Sequence, residues 1–239
     1  MPADRTEMAV SNRKREVRAL IESVGIVPVI RVSSQPEAHF AAEAVSQGGI
    51  PIVEITMTVP GALEVISQLS RSMPQVLVGA GTVLDEESAL RCAEAGAQFL
   101  VTPGFDAATV AAARKLQLLI MVGALTPTEV MAAWKAGADF IKIFPCGNSG
   151  GANYIKALKG PFPQVPMVPT GGVNLETAAS YIRAGAAALG VGAELIVKEA
   201  LQSRQAEIIR SLAVRFVNLV QEARNPRSGQ SSAEGRSLL

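Results

Sequence analysis

What most constrains this chain is a regular alternation. Eight short runs of branched apolar residues recur along it: "VPVIRV" (27–32), "PIVEIT" (51–56), "QVLVGA" (75–80), "QFLVT" (98–102), "LLIMVG" (118–123), "DFIKIF" (139–144), "VPMVPT" (165–170) and "AALGVG" (187–192). Between them lie Ala-, Glu- and Arg-rich stretches with the apolar spacing of helices. Four junctions repeat. "SQGGI" (46–50), "EAGAQ" (94–98), "KAGAD" (135–139) and "RAGAA" (183–187) each place glycine where a helix ends just before a strand. Asp85, Thr126-Pro127 and Asn174 supply helix starts. Near-continuous apolar strands separated by helices belong to a parallel sheet covered on both faces. Eight such units in 239 residues predict an α/β fold, the closed (β/α)8 or TIM barrel. An open doubly wound sheet is the second possibility, but it usually needs fewer strands. No GxGxxG or GxxxxGK[ST] sequence follows any of the runs.

Residues 13–224 therefore read as a single barrel domain with an extra N-terminal helix. "NRKREVRALIESVG" (12–25) carries Val17, Leu20, Ile21 and Val24 on one face and is expected to close the bottom of the barrel. "AEIIRSLAVRFVNLVQEA" (206–223) reads as the last barrel helix. The segments 1–12 and 225–239 are expected to be flexible tails. The second, "NPRSGQSSAEGRSLL", is small, polar and broken by Pro and Gly.

Charge and cysteine usage narrow the function classes. With 22 basic and 21 acidic residues and a net charge of +1, nothing points to nucleic acid or an anionic membrane. No apolar run reaches the ~20 residues needed to span a bilayer, and the N-terminus lacks the apolar segment of a signal peptide. Cys92 and Cys146 form no CxxC pair, which fits a reducing cytoplasm and argues against a disulfide or zinc framework. A single histidine, His39, and no acidic cluster leave no metal site.

The chemistry is carried by polar residues in otherwise apolar strands. Lysine is almost never fully buried without a reason, yet Lys142 sits in the middle of "FIKIF". Side chains alternate along a strand, so Lys142 shares a face with Phe140 and Phe144, and Ile141 and Ile143 share the other. The outer face must meet apolar helices, so Lys142 is expected to point into the lumen. By the same parity Glu54 and Thr56 share a face with Ile52, Arg31 pairs with Val29, and Thr170 pairs with Val168. A lone polar group at a strand end is more often structural than catalytic. Here Glu54, Thr56, Arg31 and Thr170 converge with Lys142 on the C-terminal mouth, where barrel enzymes place their chemistry. Lys142 and Glu54 could be a simple ion pair. They could equally be an amine nucleophile and its proton carrier, because burial and a nearby cation such as Arg31 favour the neutral amine that attacks a ketone.

Two glycine-rich turns follow. "VPTGGVN" (168–174) and "LGVGAEL" (189–195) put glycines where the seventh and eighth strands turn into helices. Backbone N–H groups of Gly171, Gly172, Gly192 and Ala193 there are candidate donors to a phosphate.

Taken together, "VEIT" at Glu54, "GAGTV" (79–83), "VTPGF" (101–105), "FIKIFP" (140–145), "GPFPQV" (160–165) and "PTGGVN" (169–174) closely resemble the 2-keto-3-deoxy-6-phosphogluconate aldolases, a family that includes 4-hydroxy-2-oxoglutarate aldolases. The resemblance covers about residues 17 to 220. It implies a class I aldolase that needs no cofactor or metal and assembles as a homotrimer. Its substrate would be a small 2-oxo acid, phosphorylated in the gluconate case. Lys142 matches the Schiff-base lysine and Glu54 the general acid/base. Thr82, Pro103 and Thr170 match positions lining the pyruvate end, and Gly171, Gly172 and Gly192 match the phosphate turns. Two positions depart from many members. Thr58 stands where some carry an arginine that binds the substrate carboxylate, which leaves Arg31 or Thr58 for that contact. Ala193 stands where many carry serine. The alternatives are cleavage of the galactonate epimer, another phosphate-binding barrel enzyme such as an isomerase or thiamin phosphate synthase, or a non-catalytic phosphosugar binder.

Overall fold

Eight parallel strands form one sheet in the order β7-β6-β5-β4-β3-β2-β1-β8. They are β1 (Ile26–Ile30), β2 (Ile52–Thr56), β3 (Leu77–Gly81), β4 (Phe99–Val101), β5 (Leu119–Ala124), β6 (Phe140–Ile143), β7 (Met167–Pro169) and β8 (Leu189–Val191). The computed structural model describes residues 5–225, with side chains from residue 12 onward. Chain order and spatial order coincide, so each strand reaches its neighbour through a helical crossover, as parallel pairing requires. A single bridge between Thr170 and Gly190 joins the two ends of the sheet and closes the barrel. Every strand residue is buried, because helices cover the outside and side chains fill the lumen.

The helices are α1 (Arg5–Val24), α2 (Gln35–Gln47), α3 (Ala62–Ser72), α4 (Glu86–Glu94), α5 (Ala107–Lys115), α6 (Pro127–Ala136), α7 (Gly151–Lys159), α8 (Ala178–Arg183), α9 (Lys198–Gln202) and α10 (Ala206–Arg224). Their starts follow from local chemistry. The Asp85 side chain accepts from the Ser88 N–H, and Thr126 forms a reciprocal capping box with Glu129 ahead of Pro127. Asn174 behaves differently from the sequence expectation. Its Oδ1 accepts from the Thr177 N–H at 2.9 Å and organises a turn, and α8 begins only at Ala178. His39 meets Gln68 Oε1 at 2.7 Å between α2 and α3, half-buried in the seam.

The extra helix α1 seals the bottom. Val17 and Ile21 are buried, with Leu20 and Val24 packed beside them. Arg18 lies over the Phe140 ring at 5.4 Å from the centroid, a cation–π contact at the first residue of β6. Lys14 pairs with Asp139 at 2.9 Å, and Asp139 also accepts from the Ile120 N–H. α1 begins at Arg5, so backbone at 5–12 that reads from sequence as a loose tail is helical. No Pro or Gly interrupts that polar stretch. Residues 1–4 and 226–239, the remainder of the expected tails except Asn225, lie outside the described residues.

Candidate active site

The lumen-facing polar residues meet just above the apolar plug. Lys142 on β6 is 6% exposed and Glu54 on β2 is 2% exposed. β2 and β6 stand on opposite sides of the ring, and the Lys142 amine comes to 3.9 Å from Glu54 Oε1. Among the described residues that oxygen has no hydrogen-bond partner. Burial pushes the Glu54 carboxyl above the ordinary carboxylate range, an effect partly offset by the positive charges of Lys142 and Arg31. Space for the carboxylate comes from β3: a Cβ on Gly81 would overlap the Glu54 carboxylate.

Arg31 follows β1 and leans over the mouth. Its Nη1 donates to Thr58 Oγ1 at 3.2 Å and its Nη2 to Thr82 Oγ1 at 3.1 Å. Thr82 itself has a φ of 58°. A β-branched residue in the left-handed region is strained by roughly 1–3 kcal/mol, and such strain concentrates at functional positions.

A cavity of about 530 Å³ opens above the amine. Arg31, Thr82, Pro103, Lys142 and Thr170 wall its base, and Gly171, Gly172, Gly192 and Ala193 form its rim with Glu194. Gly171 and Gly172 take φ values of 83° and 78°, the left-handed conformations that favour glycine. A Cβ on Gly172 would approach the Gly147 Cα to 2.8 Å, so the two loops lie almost in contact. Of the residues singled out from sequence, Glu54 and Thr58 do not line this cavity. Glu54 lies below it against Lys142, and Thr58 stands behind Arg31.

Three features were not legible in the sequence. Phe144 is not part of a buried strand; β6 ends at Ile143, and the ring is 41% exposed at the mouth, 5.5 Å from the Lys142 amine. Thr102 is buried, donates to the Gly104 carbonyl at 2.6 Å and accepts from the Gly123 N–H at 3.1 Å, which pins the Pro103 loop over the site. A threonine directly before Pro-Gly at a strand end was the available signal. Gly81 has its reason only in the neighbouring strand. Cys146, close in sequence to Lys142, is instead buried beside Tyr181 and Gly151.

A (β/α)8 barrel with an amine at its C-terminal mouth is the framework of a barrel aldolase, and this chain is one, a carbon–carbon lyase. A family model described as "Aldolase: KDPG and KHG aldolase" matches residues 17–212, and the chain belongs to that family. It is 34% identical over 173 residues to the 2-dehydro-3-deoxy-phosphogluconate aldolase of Pseudomonas aeruginosa, covering 72% of this chain and 79% of the relative. To the KHG/KDPG aldolase of Escherichia coli K12 it is 30% identical, covering 85% of this chain and 96% of the relative. A crystal structure of KDPG aldolase from Legionella pneumophila, with pyruvate captured as a covalent carbinolamine intermediate, superposes with a TM-score of 0.78 at 30% identity. That match covers 83% of this chain and 97% of the other. A thiamine phosphate pyrophosphorylase from Pyrococcus furiosus, at 17% identity and a TM-score of 0.63, shares the fold alone. Among the described residues no helix is long and apolar enough to cross a membrane.

Proposed function

We propose that Lys142 forms the Schiff base of this aldolase and that Glu54 moves its protons. One observation carries the reading: an amine 3.9 Å from a carboxylate oxygen without a hydrogen-bond partner, at the buried base of an open cavity. The neutral amine attacks the C2 ketone of a 4-hydroxy-2-oxo acid, and the carbinolamine loses water to give an iminium. Glu54, directly or through a water, takes the proton of the C4 hydroxyl. The C3–C4 bond breaks, its electron pair flows into the iminium to leave an enamine on Lys142, and the aldehyde departs. Protonation at C3 and hydrolysis release pyruvate and return the amine.

Arg31 holds the C1 carboxylate, with Thr82, Pro103 and Thr170 around the three-carbon end. The substrates that the relatives' names indicate are 2-keto-3-deoxy-6-phosphogluconate, which yields pyruvate and glyceraldehyde 3-phosphate, and 4-hydroxy-2-oxoglutarate, which yields pyruvate and glyoxylate. In the first, the phosphate would meet the Gly171, Gly172, Gly192 and Ala193 rim, where backbone N–H groups are the donors and Ala193 lacks the hydroxyl a serine would add. The same reading takes the barrel together with α1, which starts at Arg5, as the single folded domain of a cytoplasmic homotrimer that needs no cofactor, and light scattering would test the subunit number.

Borohydride reduction with pyruvate tests the mechanism. The adduct should appear on the peptide containing Lys142 and vanish in Lys142→Ala. Turnover that survives this substitution, or that EDTA abolishes, would sink the Schiff-base reading.

A further inference from the structure

We infer that Thr58 is a positioning residue that braces Arg31 and does not itself touch the substrate carboxylate. The inference rests on the reading of Arg31 as the carboxylate receptor, and it follows from counting protons along one chain of hydrogen bonds.

The chain runs from β1 to β2 and back. Thr56 Oγ1 lies 3.2 Å from the Ile30 carbonyl oxygen, which can only accept, so the single Thr56 proton is spent there. Thr56 and Thr58 hydroxyls are 2.9 Å apart and either could donate by distance alone; with the Thr56 proton on the Ile30 carbonyl, Thr58 donates to Thr56. Arg31 has donors only, so Thr58 Oγ1 accepts from Arg31 Nη1 at 3.2 Å. In that assignment the order is Arg31 to Thr58, Thr58 to Thr56, Thr56 to the carbonyl of Ile30, the residue preceding Arg31. The ring ties the guanidinium to its own backbone through the neighbouring strand.

Three consequences follow. Thr58 has no proton left, so toward a carboxylate it presents only lone pairs, which repel. Thr82 also accepts from Arg31, at 3.1 Å, but its own proton has no acceptor among the described residues and is free for a substrate oxygen. Of five guanidinium N–H donors two are engaged, leaving enough for the bidentate grip that carboxylates favour. Thr56 is buried and Thr58 is exposed, so the brace is anchored at one end and adjustable at the other. A threonine in place of a strand-two arginine is thus part of how a strand-one arginine is held.

The test is a double-mutant cycle read by KM for 4-hydroxy-2-oxoglutarate and by the pyruvate concentration that half-saturates borohydride inactivation. Thr58→Val should raise both about tenfold, the loss of one charge-assisted hydrogen bond, with a smaller fall in kcat. Thr58→Ser should restore wild-type values, and Thr58→Ala should match Val. In an Arg31→Ala background Thr58→Val should add nothing. An equal Thr58→Val effect with and without Arg31 would mean that Thr58 contacts the substrate, and no effect in the wild type would mean that Arg31 needs no brace. Failure of the wild-type protein to trap pyruvate on Lys142 would overturn the Schiff-base reading instead, so the two are separable.

Discussion

Lys142 Nζ stands 3.9 Å from Glu54 Oε1 across the barrel lumen, too far for a hydrogen bond and close enough for strong mutual influence. The carboxylate oxygen it faces has no hydrogen-bond partner among the described residues. Leaving a buried acceptor unmatched costs stability, and at this place in the fold it leaves an acceptor for a substrate hydroxyl or a water.

Glu54→Gln keeps the shape and removes the proposed base. Turnover should fall by ~10²–10⁴, while pyruvate is still trapped on Lys142. Burial raises the Glu54 pKa, and in the proposed mechanism cleavage needs its ionised form. The wild-type kcat/KM should therefore be lost as pH falls through a value above the ordinary carboxylate range. That acid limb should be missing from the Gln variant. A wild-type limb at the ordinary carboxylate value would contradict the assignment.

Gly81→Ala tests the space made for that carboxylate. The added methyl would overlap the Glu54 carboxylate, and the backbone there lies outside the left-handed region. Displacing a catalytic group by about 1 Å costs on the order of 10²-fold. Steady-state kinetics should show that loss with an unchanged far-ultraviolet circular dichroism spectrum.

Thr82 trades stability for placement. With φ at 58°, any residue with a Cβ is strained, and glycine is not. Thr82→Gly and Thr82→Ala both remove the hydroxyl that meets Arg31, so both should weaken pyruvate binding. In denaturant titrations Gly should exceed Ala in stability by about 1 kcal/mol. An Ala variant that is the more stable of the two would mean that the backbone relaxes there in solution.

Cys92 and Cys146 are both buried, and burial pushes each thiol up to about 11. The native protein should resist thiol-directed reagents at pH 8, because little thiolate forms, and both cysteines should react after denaturation. A folded-state pKa above the unfolded value means that the protonated thiols' contribution is present at neutral pH. It is lost as pH rises through about 11. Thermal melts should therefore fall in alkali, and a Cys146→Ala variant should lose less of its stability between pH 9 and 11 than the wild type.

The sequence by itself determined the eight strands, their parallel pairing and the inward direction of Lys142. These depend on periodicity, which is local: alternation of two along a strand decides the face, and glycine at each helix end marks the return. The apolar face of α1 was legible for the same reason, through Val17, Leu20, Ile21 and Val24. The first turn of the cavity rim could be read from Gly171 and Gly172 because glycine is favoured where φ is positive. The tertiary structure alone decided how near Glu54 comes to Lys142. That distance depends on strand register and tilt around a closed ring, and on a missing side chain at Gly81 in a third strand. It also decided that Thr58 stands behind Arg31, that Phe144 faces the mouth and that Thr82 is held in a strained conformation. The Glu54–Lys142 and Arg31–Thr58 relations join different strands, and no periodicity along one strand encodes them.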